Sequence, residues 1–465
     1  MATLARKREM DLTTGPIFKK LIIYAIPFIF TNILQILFNA ADVAVVGVFC
    51  GDNAVAAVGA NTSLTGLIVS LFVNFSMGIN VVLARYVGAQ DKENARKTVG
   101  TSILIAPIFG VVLILIGVPF APDFLKLMKC DPEILDMATT YLRIYFLGMP
   151  ITLLYNFCAS ILRAVGDTKR PLIFLAVGGG VNVLLNLFFV LVLDMTVEGV
   201  AIATITSQAI SSILSLAVLI KGDGYGALKK KYLKIYKEQF LKIAYIAIPS
   251  GLQGIAFNIS NVLIQSTVNS FGGVGMSANT TAQQFDAILY NMGNAIAMSS
   301  MAFVSQNLGA KKMDRVKQSI TSGVFAVLII SLTFGLIFTF LAPFLCGIIA
   351  QSQEVIDMAV IRLRIMGILY FTCSIMEVLS CSLRGMGKPV ISLIISVLGA
   401  VIIRIICLEI TFEIWPYFST IFFSYPISWT VTILMYLCVV PAFYKRVKRQ
   451  VENELKQREE INENA

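Results

Sequence analysis

The stretch ILRAVGDTKRP at residues 161–171 decides the architecture, because a shorter form of it, SLRGMGKP, returns at residues 382–389. Arg163 and Arg384 hold the same place in the two copies. The same offset along the chain separates two further pairs of similar segments, so the chain consists of two homologous halves. Those pairs are YVGAQDKENARK (86–97) with NLGAKKMDRVKQ (307–318), and YLRIYFLG (141–148) with RLRIMGIL (362–369).

Composition places the two halves in a membrane. The chain has 465 residues, of which 57% are hydrophobic and only 14% are charged, whereas about 25% are charged in soluble domains. Apolar segments of about 20 residues are long enough to cross the hydrocarbon core. We predict twelve spans, near 21–48, 54–83, 98–121, 137–160, 171–193, 199–220, 242–268, 277–305, 318–344, 358–382, 389–412 and 420–443.

The charges give the predicted topology. All but six of the 37 lysines and arginines fall in segments on one side of the predicted spans, which is the positive-inside pattern of a cytoplasmic face. Both termini are therefore predicted to be cytoplasmic, and residues 1–20 lead into a retained first span. The pattern also accounts for the net charge of +10, so we expect no nucleic-acid partner. The basic run at 229–240 is predicted to connect the halves beside anionic headgroups.

Together these features predict an all-α integral membrane protein. Its twelve transmembrane helices would form two pseudo-symmetric six-helix bundles around a central cavity, an arrangement that suits a secondary transporter working by alternating access. The predicted domains are an amino-terminal lobe at 1–225, a cytoplasmic connector at 226–241, a carboxy-terminal lobe at 242–444 and a cytoplasmic tail at 445–465.

Several kinds of chemistry have no support in the sequence. There is no histidine, the eight cysteines form no CxxC pair, and the phosphate-binding pattern GxxxxGK[ST] does not occur. Without clustered thiols or imidazoles we expect no transition-metal site, and without a phosphate loop no module that hydrolyses ATP. We therefore predict no enzyme activity and no cofactor.

One carboxylate lies inside a predicted span. In FNAADVAVVG (38–47), Asp42 would sit roughly 10 Å from the outer end of the span by helical rise. Gln35 and Asn39 fall on the same helical face. A charge at that depth is expensive and often functional. The alternatives are an aspartate that reaches the outer surface and a polar contact between helices.

The ordered motifs resemble the multidrug and toxic compound extrusion family of cation-coupled efflux antiporters, in the bacterial branch related to the DNA-damage-inducible members. The resemblance implies a monomer in a bacterial inner membrane that exports small organic molecules, often cationic and aromatic, in exchange for H+ or Na+. It runs over about residues 15–445. The segments that carry it are QILFNAADVAVVG, VLARYVGAQDKENARK, ILRAVGDTKRP, NVLLNLFFV, VSQNLGAKKMDRVKQ, IMEVLSCSLRGMGKP and SVLGAVIIRI.

The resemblance also implies an amino-terminal cation site. Its members would be Gln35, Asp42, Tyr141, Asn182, Asn186 and Thr204. Family members often carry an aspartate where this chain has Asn186, so the site has one carboxylate. The oxygens of Asp42, Asn182, Asn186 and Thr204 could still hold Na+, because hard cations take oxygen ligands, or Asp42 could carry one proton. Hydrogen bonding between helices is the alternative for the two asparagines.

The second half differs in chemistry. Arg404 stands as far beyond Pro389 as Asn186 stands beyond Pro171, so the repeat places a fixed cation at the equivalent position and argues against a second cation site. Asp286 and Glu377 are its candidate partners, or acids that face the transported compound. An ion pair with Arg384 is the alternative for Glu377.

Two rival functions remain. A lipid-linked sugar or polysaccharide flippase of the same superfamily would have about fourteen spans and a strongly cationic cavity, and the predicted spans and few buried arginines disfavour it. An intramembrane enzyme would need a catalytic constellation that the sequence lacks.

Overall fold

The structure is a computed structural model that describes residues 9–128 and 130–463. Within those residues the chain is helical and contains no β-strand. Arg6, Lys7, Arg8 and Lys129 of the predicted charge pattern lie outside the described residues.

The first compact unit consists of Met1–Asp11 and Ile26–Gly251. The unit includes the second part of the first long helix and the first part of the helix that begins at Lys237. Each of these two helices is divided between the units close to an interior proline, Pro27 or Pro249. Its helices are α1 (Ile17–Phe49), α2 (Asp52–Gly88), α3 (Lys92–Leu127), α4 (Pro132–Leu147), α5 (Met149–Ala164), α6 (Lys169–Leu191), α7 (Val197–Lys221), a 3₁₀ turn (Lys230–Tyr232) and the start of α8 (Lys237–Asn269).

The second compact unit consists of Leu12–Ala25 and Leu252–Ala465. These units follow packing, whereas the predicted lobes follow the sequence repeat, so the predicted domain boundaries stay a prediction. The helices of this unit, after the shared α1 and α8, are α9 (Gly272–Gly309), α10 (Met313–Phe340), α11 (Ala342–Ile349), α12 (Gln353–Gly385), α13 (Pro389–Val397), a π-helical segment (Leu398–Ile403), α14 (Arg404–Ile414) and α15 (Phe418–Glu463).

The fourth span is bent, whereas its counterpart α12 is one continuous helix. Helices α4 and α5 meet at an angle of 48° around Gly148, and Pro150 opens α5 where a missing N–H is harmless. Helix α3 packs tightly against this bend: a Cβ on Gly110 would lie 2.3 Å from the Cα of Pro150. Only glycine therefore allows the two backbones to approach so closely.

The helices confirm the predicted fold class. Ten of the described helical segments are long and apolar enough to cross a membrane, counting Pro389–Ile414 as one, and the bent pair α4–α5 forms an eleventh. Helix α2, with 37 residues, is long enough to be the twelfth span, which would give six in each half of the repeat. The central cavity between the halves stays a prediction.

Candidate cation site around Asp42

Asp42 is buried near the outer end of α1, and helices α6 and α7 supply its partners. Its side chain is 8% exposed. The Asn186 amide nitrogen donates a hydrogen bond to one carboxylate oxygen at 2.5 Å, and the Thr204 hydroxyl donates to the other at 3.1 Å. Each oxygen of an ionised Asp42 therefore accepts one hydrogen bond inside the first unit.

A second set of contacts closes the network. Asn186 also donates to the side-chain oxygen of Asn182 at 3.3 Å, and Asn182 donates to Thr204 at 3.4 Å. The spacing of four residues puts the two asparagines on one face of α6, and both are buried. Four of the six side chains that the resemblance grouped together thus meet at one place, and three helices contribute them.

The carboxylate is the only charged member of this network, so its protonation decides the local charge. Burying an ion is expensive unless hydrogen bonds replace the lost water. Thr204 also lies 3.0 Å from the backbone oxygen of Val200, and one hydroxyl hydrogen serves one acceptor at a time. A protonated Asp42 could donate a hydrogen bond to the Thr204 oxygen, and the hydroxyl hydrogen of Thr204 would then point to the backbone oxygen of Val200. The network can therefore accept a proton by rotating one hydroxyl group.

One acceptor in the site is unused. The side-chain oxygen of Asn186 is buried and has no hydrogen-bond partner among the described residues. Buried polar atoms are rarely left in that state. This oxygen is available either to a donor that enters the site or to a bound cation.

The remaining predicted members of the site make no hydrogen bond to this network among the described residues. Gln35 and Asn39 are exposed, and neither hydrogen-bonds Asp42 in the described part of the chain. Tyr141 is half-buried on α4 and lies within electrostatic range of Asp42 without a direct hydrogen bond to it. Their roles in cation binding stay predictions.

The acids of the second half are already paired. Asp286 on α9 accepts two hydrogen bonds from Arg362 on α12, at 2.7 and 3.1 Å, and Asn279 accepts another from the same guanidinium. Both charged side chains are about as buried as Asp42. Sequence reasoning missed Arg362. The signal was present, because Arg362 and Arg364 are two residues apart on one helix and must point in different directions.

Glu377 also has an arginine partner, on its own helix. Arg384 lies 3.4 Å from the carboxylate and also donates to Ser380 at 2.7 Å and to Gln253 at 3.0 Å. The expectation that Arg404 pairs with Asp286 or Glu377 is therefore wrong, since each acid is held by a different guanidinium.

Comparisons with known proteins agree with this architecture. The MatE family model matches residues 27–188 and 249–408, one match in each half. The probable multidrug resistance protein YoeA of Bacillus subtilis is 25% identical over 82% of this chain and 84% of its own length. The multidrug export protein MepA of Staphylococcus aureus is 20% identical over 92% and 93%.

A solved structure has the same fold. It shows a multidrug resistance MATE family transporter of the MOP superfamily in an outward-facing conformation. It superposes with a TM-score of 0.89 at 21% identity and covers 95% of this chain and 99% of its own. At that identity the likeness concerns the fold alone.

Proposed function

The chain belongs to the MatE family of multidrug and toxic compound extrusion transporters, and from this premise we propose that it is a secondary antiporter that exports organic compounds in exchange for protons. The names of its relatives YoeA and MepA support export of several compounds. Compounds with a cationic, aromatic character suit a chain with 31 phenylalanines and 17 methionines, through cation–π attraction and adaptable apolar contact.

The observation that carries the proposal is the closed network around Asp42. Its two oxygens face donors, Asn186 and Thr204, which suits an ionised carboxylate that waits for a proton. Sodium would instead need oxygens to converge on one point. For one ion to contact both Asp42 and Asn186, the Asn186 amide, which now directs its nitrogen at Asp42, would have to turn around. A proton needs only the rotation of the Thr204 hydroxyl, so the geometry favours H+ over Na+.

Coupling then follows from competition between two charge states. With Asp42 ionised, the hydrogen bonds from α6 and α7 to α1 are charge-assisted and strong, and with Asp42 protonated they are weaker. A proton entering from outside therefore favours the conformation that has released its organic cargo. We place the protein in the bacterial inner membrane as a monomer, with both termini cytoplasmic.

Everted membrane vesicles test the proposal. In such vesicles respiration acidifies the lumen, and a pH-sensitive acridine dye reports the gradient by quenching. Adding an organic cation such as ethidium should release the quench in sodium-free buffer. Vesicles that contain the Asp42→Asn protein should show no release. Release that needs sodium, or that persists in Asp42→Asn, overturns the assignment of a proton to Asp42.

A further inference from the structure

Arg404 is a buried cation that has no acidic partner among the described residues. Its side chain is 4% exposed, yet the ionisable groups within its electrostatic range are Tyr370, Cys373 and Tyr425, all of types that are neutral at physiological pH. The other two buried arginines of this unit, Arg362 and Arg384, each have a carboxylate within 3.4 Å. An isolated buried charge is expensive, so Arg404 calls for an explanation.

Two aromatic rings lie on one side of this guanidinium. The central carbon of Arg404 lies 4.5 Å from the ring centre of Tyr425 and 5.5 Å from that of Trp429. Trp429 in turn packs against Tyr370, with ring centres 5.5 Å apart. Cation–π attraction stabilises a cation in such a place, but it leaves the hydrogen-bonding edge of the group unused.

One edge of the guanidinium is fixed and the other is free. The Nε atom donates to the hydroxyl of Ser428 at 3.1 Å, and that hydroxyl donates to the backbone of Tyr425. The two terminal nitrogens of Arg404 have no hydrogen-bond partner among the described residues. Ser428 thus holds the group in one orientation, with a planar fork of N–H donors left over.

The backbone before Arg404 is equally specific. Leu398–Ile403 form a π-helical segment that ends where α14 begins, and such segments occur frequently at functional sites. Gly399 lies in it, and a Cβ there would come within 2.2 Å of the Thr432 hydroxyl, so α15 packs directly on the segment. A π turn adds a residue to the helical turn and so rotates everything after it. The segment therefore sets the direction of Arg404.

We propose that Arg404 binds the carboxylate group of a hydrophobic organic acid, with Tyr370, Tyr425 and Trp429 as the apolar surroundings. A planar carboxylate matches the free fork of the guanidinium with two parallel hydrogen bonds. Its negative charge compensates the buried cation, which no described side chain of the unit does. The further proposal that such acids or zwitterions are exported rests on the proposed transport function, whereas the proposal that they bind does not.

Tryptophan fluorescence of the purified full-length protein tests the binding directly. The chain has two tryptophans, so Trp415→Phe leaves Trp429, beside Arg404, as the sole reporter. The probes are cyclohexanecarboxylate and the neutral cyclohexanecarboxamide, which have nearly the same shape. The carboxylate should change the emission saturably, with an affinity at least about tenfold higher than that of the amide, because charge-assisted hydrogen bonds are roughly twice as strong as neutral ones.

Two variants locate the effect. Arg404→Gln should abolish the response to the carboxylate, whereas Arg364→Gln, an exposed arginine of α12, should leave it unchanged. Equal responses to the acid and the amide, or a response that survives in Arg404→Gln, would overturn the proposal. If Arg404→Gln does not fold, the comparison of the two probes on the parent protein still decides. A failure of proton-coupled transport leaves this result unaffected.

Discussion

Replacing Asp42 with asparagine should uncouple transport while leaving the protein folded. The asparagine is nearly isosteric and can keep both contacts: its oxygen accepts from Asn186, and its amide nitrogen donates to Thr204, whose hydrogen returns to Val200. The variant therefore imitates the protonated site permanently. An amide neither gains nor loses a proton in this pH range, so the coupling step is lost.

The structure gives the size of the effect. An ionised Asp42 accepts two hydrogen bonds, each worth about 1.5–3 kcal/mol, against about 0.5–1.5 kcal/mol for a neutral group. Protonation therefore weakens the attachment of α1 to α6 and α7 by roughly 2–3 kcal/mol. At 1.4 kcal/mol per factor of ten, that changes a conformational equilibrium by roughly 30- to 140-fold. Asp42→Asn should lose this dependence on pH entirely.

The assay is ethidium transport in proteoliposomes. When a pH gradient drives transport, liposomes with Asp42→Asn should transport ethidium at the rate of empty liposomes. When an ethidium gradient alone drives transport, the variant should still move ethidium across the membrane. The matched control is Asp223→Asn. Asp223 is exposed outside the spans, and its hydrogen bond and ion pair with Lys229 at 2.6 Å hold its pKa below the ordinary value, so it is ionised throughout the assay. Gradient-driven transport by Asp42→Asn at the parent rate would refute the reasoning.

Three further changes probe other parts of the molecule. Asp286→Asn should strip buried Arg362 of its carboxylate and destabilise the fold by about 3–5 kcal/mol; a thermal melt equal to that of the parent protein would contradict this. Asn186→Asp should give the site two acids and raise the pH midpoint of transport, since like charges favour binding of a proton; superimposable pH profiles would place residue 186 outside the site. Gly110→Ala should lower stability by about 1–3 kcal/mol through overpacking, whereas Gly180→Ala, with nothing within 4 Å, should not; equal melting temperatures would show that α3 can move away from the bend.

The sequence predicts the fold well because hydropathy and charge bias act locally, helix by helix. It also predicts that Asn182 and Asn186 share a face, from their spacing alone. Spacing within one helix does not show which helices meet. The family resemblance, and not the spacing, grouped Asp42 with Thr204. Gln35 and Asn39 share the helical face of Asp42, yet they are exposed. Periodicity shows which face of a helix a side chain lies on, but it does not show which residues of that face a neighbouring helix covers.

Arg404 shows the limit of the repeat itself. Counting from the prolines that open α6 and the α13–α14 span makes Arg404 the counterpart of Asn186, but the count assumes the same helical turn in both halves. The π-helical segment at Leu398–Ile403 occurs in the second half, while α6 is α-helical throughout. Equal sequence spacing then no longer means equal direction. The partner of Asp286 was equally hidden, since Arg362 lies 76 residues further along the chain and leaves no local pattern. The pair of Glu377 with Arg384, seven residues further along the same helix, was one of the predicted alternatives.

Asp42 and the buried acids Asp286 and Glu377 are held in different ways, and this difference bears on where a coupling ion binds. Asp42 is held by neutral donors, so the site can exist as an anion or, after one proton binds, as a neutral group. Asp286 and Glu377 are each held by an arginine, and protonating either acid would leave a buried cation uncompensated, at a cost of several kcal/mol. A coupling ion is expected to bind where the charge can change at low cost, and among these three buried acids we propose that this place is Asp42.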